Sequence, residues 1–439
     1  MIKNQSSFTE NVLAGTVTVD VQPEVNVSVS TDVVKLYFST HEQDQIIIDY
    51  ELMMESGYDY DESEIVGEFE YDESSNSLSY ELTGDDDIRR NRSNVIRLKV
   101  PKGLNLEVES EVNLIELDGI YGKCEISNEN GPIQIKKSVL SGKAEVENGP
   151  LDVTDTEFNG EIATENGPIL MKNCNGDKID INSENGQIKL LNISYSSVTG
   201  ESENGSIVCE LGINDRSELD LRTENGPIKL TIPDGLIFNL EARTENAPIR
   251  TNDRRVFGAG GNTLTLNNSD AKVFITLETE NAPITVIHDK HIIFKAMESE
   301  LNKAEEYIQK ITSEVNIDDI SEKIEDSLKK VRVMFETGID RGKKGIFSSI
   351  KNIFSDLDKD NLDDLKENLR EKKEEIKLNI QNVKERIKDA EQGIDEKRRE
   401  KASGSTDNKE SSRLKILELL EKGLISAEDA EKLLKAIDG

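Results

Sequence analysis

The stretch TENGPILMKNCNGDKIDINSENGQIKLLN, residues 164–192, decides the fold. It contains one phrase twice, TENGPI from Thr164 and SENGQI from Ser183, with apolar residues alternating on either side. Working outward, the phrase returns as NENGPI at Asn128, VENGPL at Val146, SENGSI at Ser202, TENGPI at Thr223 and TENAPI at both Thr244 and Thr279. The central asparagines, Asn130, Asn148, Asn166, Asn185, Asn204, Asn225, Asn246 and Asn281, follow one another at intervals of 18, 18, 19, 19, 21, 21 and 35 residues. The long last interval is expected to hide a degenerate copy around Leu264 and Leu266, and SEVNLIEL near Asn113 reads as a degenerate first copy.

Each copy reads as strand, turn, strand. Asn130-Gly131, Asn148-Gly149, Asn166-Gly167, Asn185-Gly186, Asn204-Gly205 and Asn225-Gly226 signal turns because both residue types tolerate positive φ. Asn246 and Asn281 hold the same place with alanine following. The prolines after most turns suit a strand start, having no N–H to donate. Beyond them the alternation is clean, as in Ile133/Ile135, Leu151/Val153, Ile169/Met171 and Ile228/Leu230, so one face of each strand is buried. A unit of about 20 residues cannot bury that face alone, but stacked units can. Identical residues at identical turn positions favour a parallel single-stranded β-solenoid over an antiparallel meander, because stacking places like on like.

The expected organisation is mainly β followed by helix. Residues 1–110 form a strand-rich region that caps or extends the stack, residues 111–290 the repeat solenoid, and 291–400 a helical, coiled-coil region. A polar linker at 401–412 precedes a pair of helices at 413–439. Segments VIRLKVPKGLNLEVES from Val95 and LTIPDGLIFNLEART from Leu230 echo one another, each joining two strands through Pro-x-Gly. Residues 59–87 read as an acidic hairpin with an exposed loop. From Phe294, Met297, Leu301 and Ala304 onward, apolar residues take heptad spacing, and a later seam includes Ile376, Ile380 and Val383. Such seams pack within one chain or self-associate. Ile346, Phe347, Ile350, Ile353 and Phe354 make an apolar helix face flanked by lysines, which suits the helical core, a partner protein or an interfacial membrane contact.

Composition narrows the function. The net charge is −34, which opposes binding to nucleic acid. The first 290 residues carry 24 basic and 53 acidic side chains, so nearly all of the excess lies in the β region. There is no tryptophan, and the three cysteines cannot build a disulfide framework. Cys209 falls at an inward repeat position, whereas Cys124 and Cys174 fall at loop or strand ends. No run approaches the roughly 18 apolar residues of a membrane span. MIKNQSSFTENVLAG lacks a secretory pattern. The chain therefore reads as cytoplasmic, with peripheral membrane or cell-surface association as the variant.

Glu129, Glu147, Glu165, Glu184, Glu203, Glu224, Glu245 and Glu280 each precede a turn asparagine. Stacked at about 4.8 Å, neighbouring carboxylates repel by about 1 kcal/mol in water. Solvent splaying, bonds to turn N–H groups or a cationic partner would offset this. One glutamate per coil is a poor calcium cage. His288 and His291 lack further ligands nearby, and no motif for a catalytic site or cofactor is present. The expectation is a non-enzymatic scaffold without metal or cofactor, whose ladder engages a protein or cationic peptide and whose helices dock on a membrane protein or on the β domain itself. A self-assembling or adhesin-like solenoid is the alternative, and a polysaccharide-active β-helix enzyme ranks below it.

VIRLKVPKG followed by recurring ENGPI coils resembles the bacterial putative-adhesin β-strand-repeat family of the LiaX and YvlB type. RLKILELLEKGLISAEDAEKLLKAI at the end resembles the SHOCT-like helical pair found beside that domain. The resemblance implies a regulatory role in the cell-envelope stress response and supplies no catalytic residues. In that family the helical pair often stands at the amino end, so its carboxyl-terminal place here is a departure.

Overall fold

The computed structural model describes residues 2–9, 12–32, 34–53, 68–82, 94–212, 217–233, 236–252 and 262–289, with scattered helical positions from 301 to 388. The chain divides into two units, Met1–Ala296 and Met297–Gly439. Among the described residues the first unit holds strands and no helix. Its amino-terminal part holds β1 (Ile2–Thr9), β2 (Val12–Asp20), β3 (Asn26–Thr31), β4 (Lys35–Thr40), β5 (Gln45–Met53), β6 (Glu68–Asp72), β7 (Ser77–Leu82), β8 (Val95–Val100), β9 (Leu104–Ser110) and β10 (Ile115–Asp118). The central repeats supply β11 (Tyr121–Asn128), β12 (Ile133–Lys136), β13 (Val139–Val146), β14 (Leu151–Thr154), β15 (Glu157–Thr164), β16 (Ile169–Lys172), β17 (Asn175–Ser183), β18 (Ile188–Ser202), β19 (Ile207–Leu211), β20 (Ser217–Thr223) and β21 (Ile228–Pro233). The last part holds β22 (Phe238–Thr244), β23 (Ile249–Thr251), β24 (Thr263–Leu266), β25 (Val273–Thr279) and β26 (Ile284–Asp289).

Two strands make a coil, one on each of two facing ladders, with the Glu-Asn-Gly corner between them. β11, β13, β15 and β17 pair in parallel along one ladder, and β10, β12, β14 and β16 pair in parallel along the other. β18 belongs to both, since its first part pairs with β16 and its second with β17. Inward residues are almost solvent-free, for example Ile133, Ile135, Leu151, Val153, Ile162 and Ile169. The repeat thus folds as the solenoid-like stack that its spacing implies, and SEVNLIEL contributes β10 as the first-copy reading expects. The same two-strand plan reaches back to β3 with β4 and β7 with β8.

The stacking order departs from the chain order at both ends. β25 lies between β20 and β22, and β26 lies between β21 and β23. The coil of Asn281 is therefore inserted ahead of the coil of Asn246. At the other end β3 separates β7 from β9, and β4 separates β8 from β10. The chain skips a slot between β8 and β9 and again between β21 and β22, which are the two echoing Pro-x-Gly segments. Leu264 and Leu266 do not form a hidden coil: they lie in β24, which runs antiparallel to β22 and covers its outer edge. The long interval instead carries the chain back from the outer edge of β22 to the slot inside it, which β25 takes.

Antiparallel strands also close the amino-terminal end. β1, β2, β5 and β8 pair in series on one ladder, and β6 closes the other as a hairpin with β7. The hairpin expected in the acidic stretch is thus present at 68–82, while residues 54–67 and 83–93 lie outside the described residues. Cross-linking tests the interchange. R222C/E278C and E278C/R243C join residues that face each other in register, and both pairs should oxidise to disulfides. R222C/R243C, two slots apart, should not, and a disulfide there would restore the sequential order.

In the second unit Leu301 and Ile380, both seam positions, are helical and buried, and Leu378 is helical and exposed. The remaining seam residues lie outside the described residues, as do the face of Ile346, Phe347, Ile350, Ile353 and Phe354, the linker at 401–412 and the terminal helix pair. No helix among the described residues is long and apolar enough to cross a membrane.

Candidate functional site

The Glu-Asn-Gly corners stack into one edge of the coil column. Each asparagine side chain reaches the next: Asn148 Nδ2 donates to Asn130 Oδ1 at 3.1 Å, Asn166 to Asn148 at 2.9 Å, Asn185 to Asn166 at 2.9 Å and Asn204 to Asn185 at 2.9 Å. The ladder continues through the interchanged slots, with Asn225 on Asn204 at 3.0 Å, Asn281 on Asn225 at 2.9 Å and Asn246 on Asn281 at 2.9 Å. Such a ladder satisfies both ends of each amide. A shorter one runs along the opposite corner, from Asn192 to Asn173 to Asp155.

The corners are not left-handed turns. Positive φ falls instead at the opposite corner, on Lys137, Asp155, Asn173 and Asn192, and Asn130 and its equivalents show none. The sequence-based reason for Asn-Gly fails because the flanking strands belong to different ladders and need no hairpin twist. Glycine is required here by close approach. A Cβ on Gly167 would lie 1.7 Å from the Gly149 carbonyl oxygen, and one on Gly186 1.7 Å from that of Gly167.

All eight ladder glutamates are exposed. The corner N–H groups are spent elsewhere: Asn148 N donates to Glu129 O, Asn166 N to Glu147 O and Asn185 N to Glu165 O, each at 2.8 Å. The hydroxyls of Thr164, Ser183, Ser202 and Thr223 accept from the N–H groups of Gly167, Gly186, Gly205 and Gly226. No ladder carboxylate takes a turn N–H, and among the described residues none has a basic partner within 4 Å. The glutamates do not hold the turn.

A groove of about 960 Å³ runs along this edge. One rail is Glu147, Glu165, Glu184, Glu203, Glu224, Glu280 and Glu245 in stacking order, and the floor includes Thr164, Ser183, Ser202 and Thr223. Glu129, the first rung of the ladder, is not among the groove residues. The other rail, two residues earlier in each coil, is Glu145, Ala163, Asn182, Glu201, Arg222, Glu278 and Arg243. Sequence reading missed this second rail, although period-2 parity places it on the outer face beside the ladder. Its charges are partly neutralised: Lys143 Nζ lies 2.5 Å from Glu145 Oε2, Arg222 Nη2 2.7 Å from Asp220 Oδ2, and Arg243 pairs with Glu241. The first rail is therefore the unneutralised one.

Other candidates carry less. Cys124 lies inside β11 and not at a strand end, whereas Cys174 stands in the short connection ahead of β17, as expected; both are buried. Cys209 is buried as expected. Burial pushes the Cys124 thiol up to about 12 and the Cys209 thiol higher still, so neither is a nucleophile near neutral pH. His288 packs its ring on Phe238 and its backbone on Asn252, and His291 lies outside the described residues. No group of metal-ligating side chains occurs among the described residues.

Residues 25–286 match the Toastrack DUF4097 family, and residues 411–439 match a SHOCT-like domain, SHOCT-like_DUF2089-C. A solved structure described as a putative adhesin from Bacteroides fragilis NCTC 9343 is similar at 12% identity and a TM-score of 0.33, covering 63% of this chain and 97% of that one. Another, a putative cell adhesion protein from Clostridium sporogenes ATCC 15579, is similar at 14% identity and a TM-score of 0.18, covering 66% and 100%. No curated protein matches the sequence.

Proposed function

The chain belongs to the Toastrack DUF4097 family, and on that premise we propose that it is a non-enzymatic binding scaffold whose acidic groove takes a linear cationic ligand. The observation that carries this reading is the rail of glutamates, aligned along one groove with neither turn bonds nor ion pairs to occupy them. Carboxylates held about one strand spacing apart repel one another, and a polycation laid along them removes that repulsion while gaining its own ion pairs. An extended peptide with Lys or Arg is the simplest such ligand. The helical arm and its SHOCT-like end then serve protein or membrane contacts. The envelope-stress role follows from the family resemblance.

Binding of a cationic amphipathic peptide to the full-length protein tests the reading, compared with a variant carrying all eight ladder glutamates as glutamine. Affinity should fall with added salt and drop by about two orders of magnitude in the glutamine variant while circular dichroism shows the β unit intact. Equal binding by both proteins would return the glutamates to solvent exposure without a role. The antiparallel strands that close the stack weigh against the self-assembling alternative, since β24 and β6 leave no parallel coil edge on their ladder.

A further inference from the structure

We propose that Asn130 and Asn148 are sites of spontaneous deamidation, set apart from the other Asn-Gly corners by what holds the glycine nitrogen. In an Asn-Gly pair the glycine backbone nitrogen can attack the asparagine Cγ. The N–C bond forms, ammonia leaves and its proton balance is met by the attacking N–H, giving a cyclic imide. Water then opens the ring to aspartate or isoaspartate. The net change is asparagine plus water to aspartate plus ammonia, with no oxidant and no enzyme.

Four corners restrain the attacking nitrogen. Gly167, Gly186, Gly205 and Gly226 each donate their N–H to the hydroxyl two residues before the asparagine, at 2.7–3.0 Å. Ser183 and Thr223 also donate back to the carbonyls of Gly186 and Gly226, so the hydroxyl clamps the corner from both sides. The Ala247 and Ala282 nitrogens are held in the same way by Thr244 and Thr279.

The two corners at the amino-terminal end of the ladder lack the clamp. Val146 stands where the hydroxyl would be for Gly149. Asn128 stands there for Gly131, and its Nδ2 is committed to Asn113 O at 2.7 Å. Gly131 and Gly149 donate to no acceptor among the described residues. The asparagine amides are also held least there: the Asn148 to Asn130 rung is the longest of the ladder at 3.1 Å, and Asn130 has no earlier rung to donate to. Both side chains are exposed to water. Conversion of Asn148 would set an oxygen against Asn130 Oδ1, removing the first rung and adding a carboxylate beside Glu147.

Ageing of the full-length protein at mildly alkaline pH, followed by peptide mapping that separates aspartate from isoaspartate, tests this. Asn130 and Asn148 should convert about tenfold faster than Asn166, Asn185, Asn204 and Asn225, the factor that holding one hydrogen bond supplies. Val146→Thr should slow Asn148 to the rate of the clamped corners, and Thr164→Val should speed Asn166. Equal rates at all six corners, or a folded Thr164→Val protein with Asn166 unchanged, would overturn the proposal.

Discussion

Gly167→Ala is expected to destabilise the β unit by about 3 kcal/mol or more, at the upper end of what forced overpacking costs. The added methyl would lie 1.7 Å from the Gly149 carbonyl oxygen, and the obstacle is backbone, not a side chain that can swing away. The coils would have to part at that corner. Parting breaks the Asn166 to Asn148 rung and the bond from Asn166 N to Glu147 O, and it disturbs the parallel ladders on either side. Gly103→Ala is the control. Gly103 has φ +77 and open space around it, so alanine there pays only the left-handed cost of about 1–2 kcal/mol. Urea unfolding of the two variants separates the effects; an equal loss in both would mean that the corner glycines serve conformation and not close stacking.

The second large effect concerns charge. Replacing the ladder glutamates by glutamine leaves every rung and every corner bond in place, because no carboxylate takes part in them. Stability in low salt should hold or rise slightly as the repulsion of about 1 kcal/mol per adjacent pair in water disappears. Binding of a polycation should weaken by about two orders of magnitude, since exposed ion pairs contribute about 0.5 kcal/mol each and six or more are lost. Opposite signs for stability and binding distinguish a recognition surface from a structural one. A variant that loses stability together with binding would place the glutamates in the fold.

The eight ENG or ENA phrases made the coil, its inward face and its exposed glutamates legible, since period-2 alternation and identical corners constrain one another. What the sequence did not disclose is long-range. TENAPI occurs at both Thr244 and Thr279, and either copy offers the same asparagine and the same apolar face to the coil of Asn225. Which one takes the slot depends on pairing of β25 with both β20 and β22, a choice no local pattern encodes. The repeated Pro-x-Gly segments were a trace of it, for they mark the two skips. The corner conformation was misjudged for a local reason: Asn-Gly signals positive φ in hairpins, but here glycine is selected by the oxygen of the coil behind it. The second groove rail, Glu145 and Glu201 among it, followed from the parity already in hand.

The groove reading turns most directly on ligand length. Seven coils from Glu147 to Glu245 span about 29 Å at the strand spacing, which an extended chain of about nine residues covers. Fluorescence anisotropy of labelled oligo-arginines of increasing length, with the full-length protein at two salt concentrations, reads this out. A ligand lying along the rail gains affinity with each added residue up to about that length and little beyond it, with a salt dependence that steepens in parallel. Affinity that ignores length, or that persists when the glutamates are glutamine, would contradict a linear cation held by the ladder.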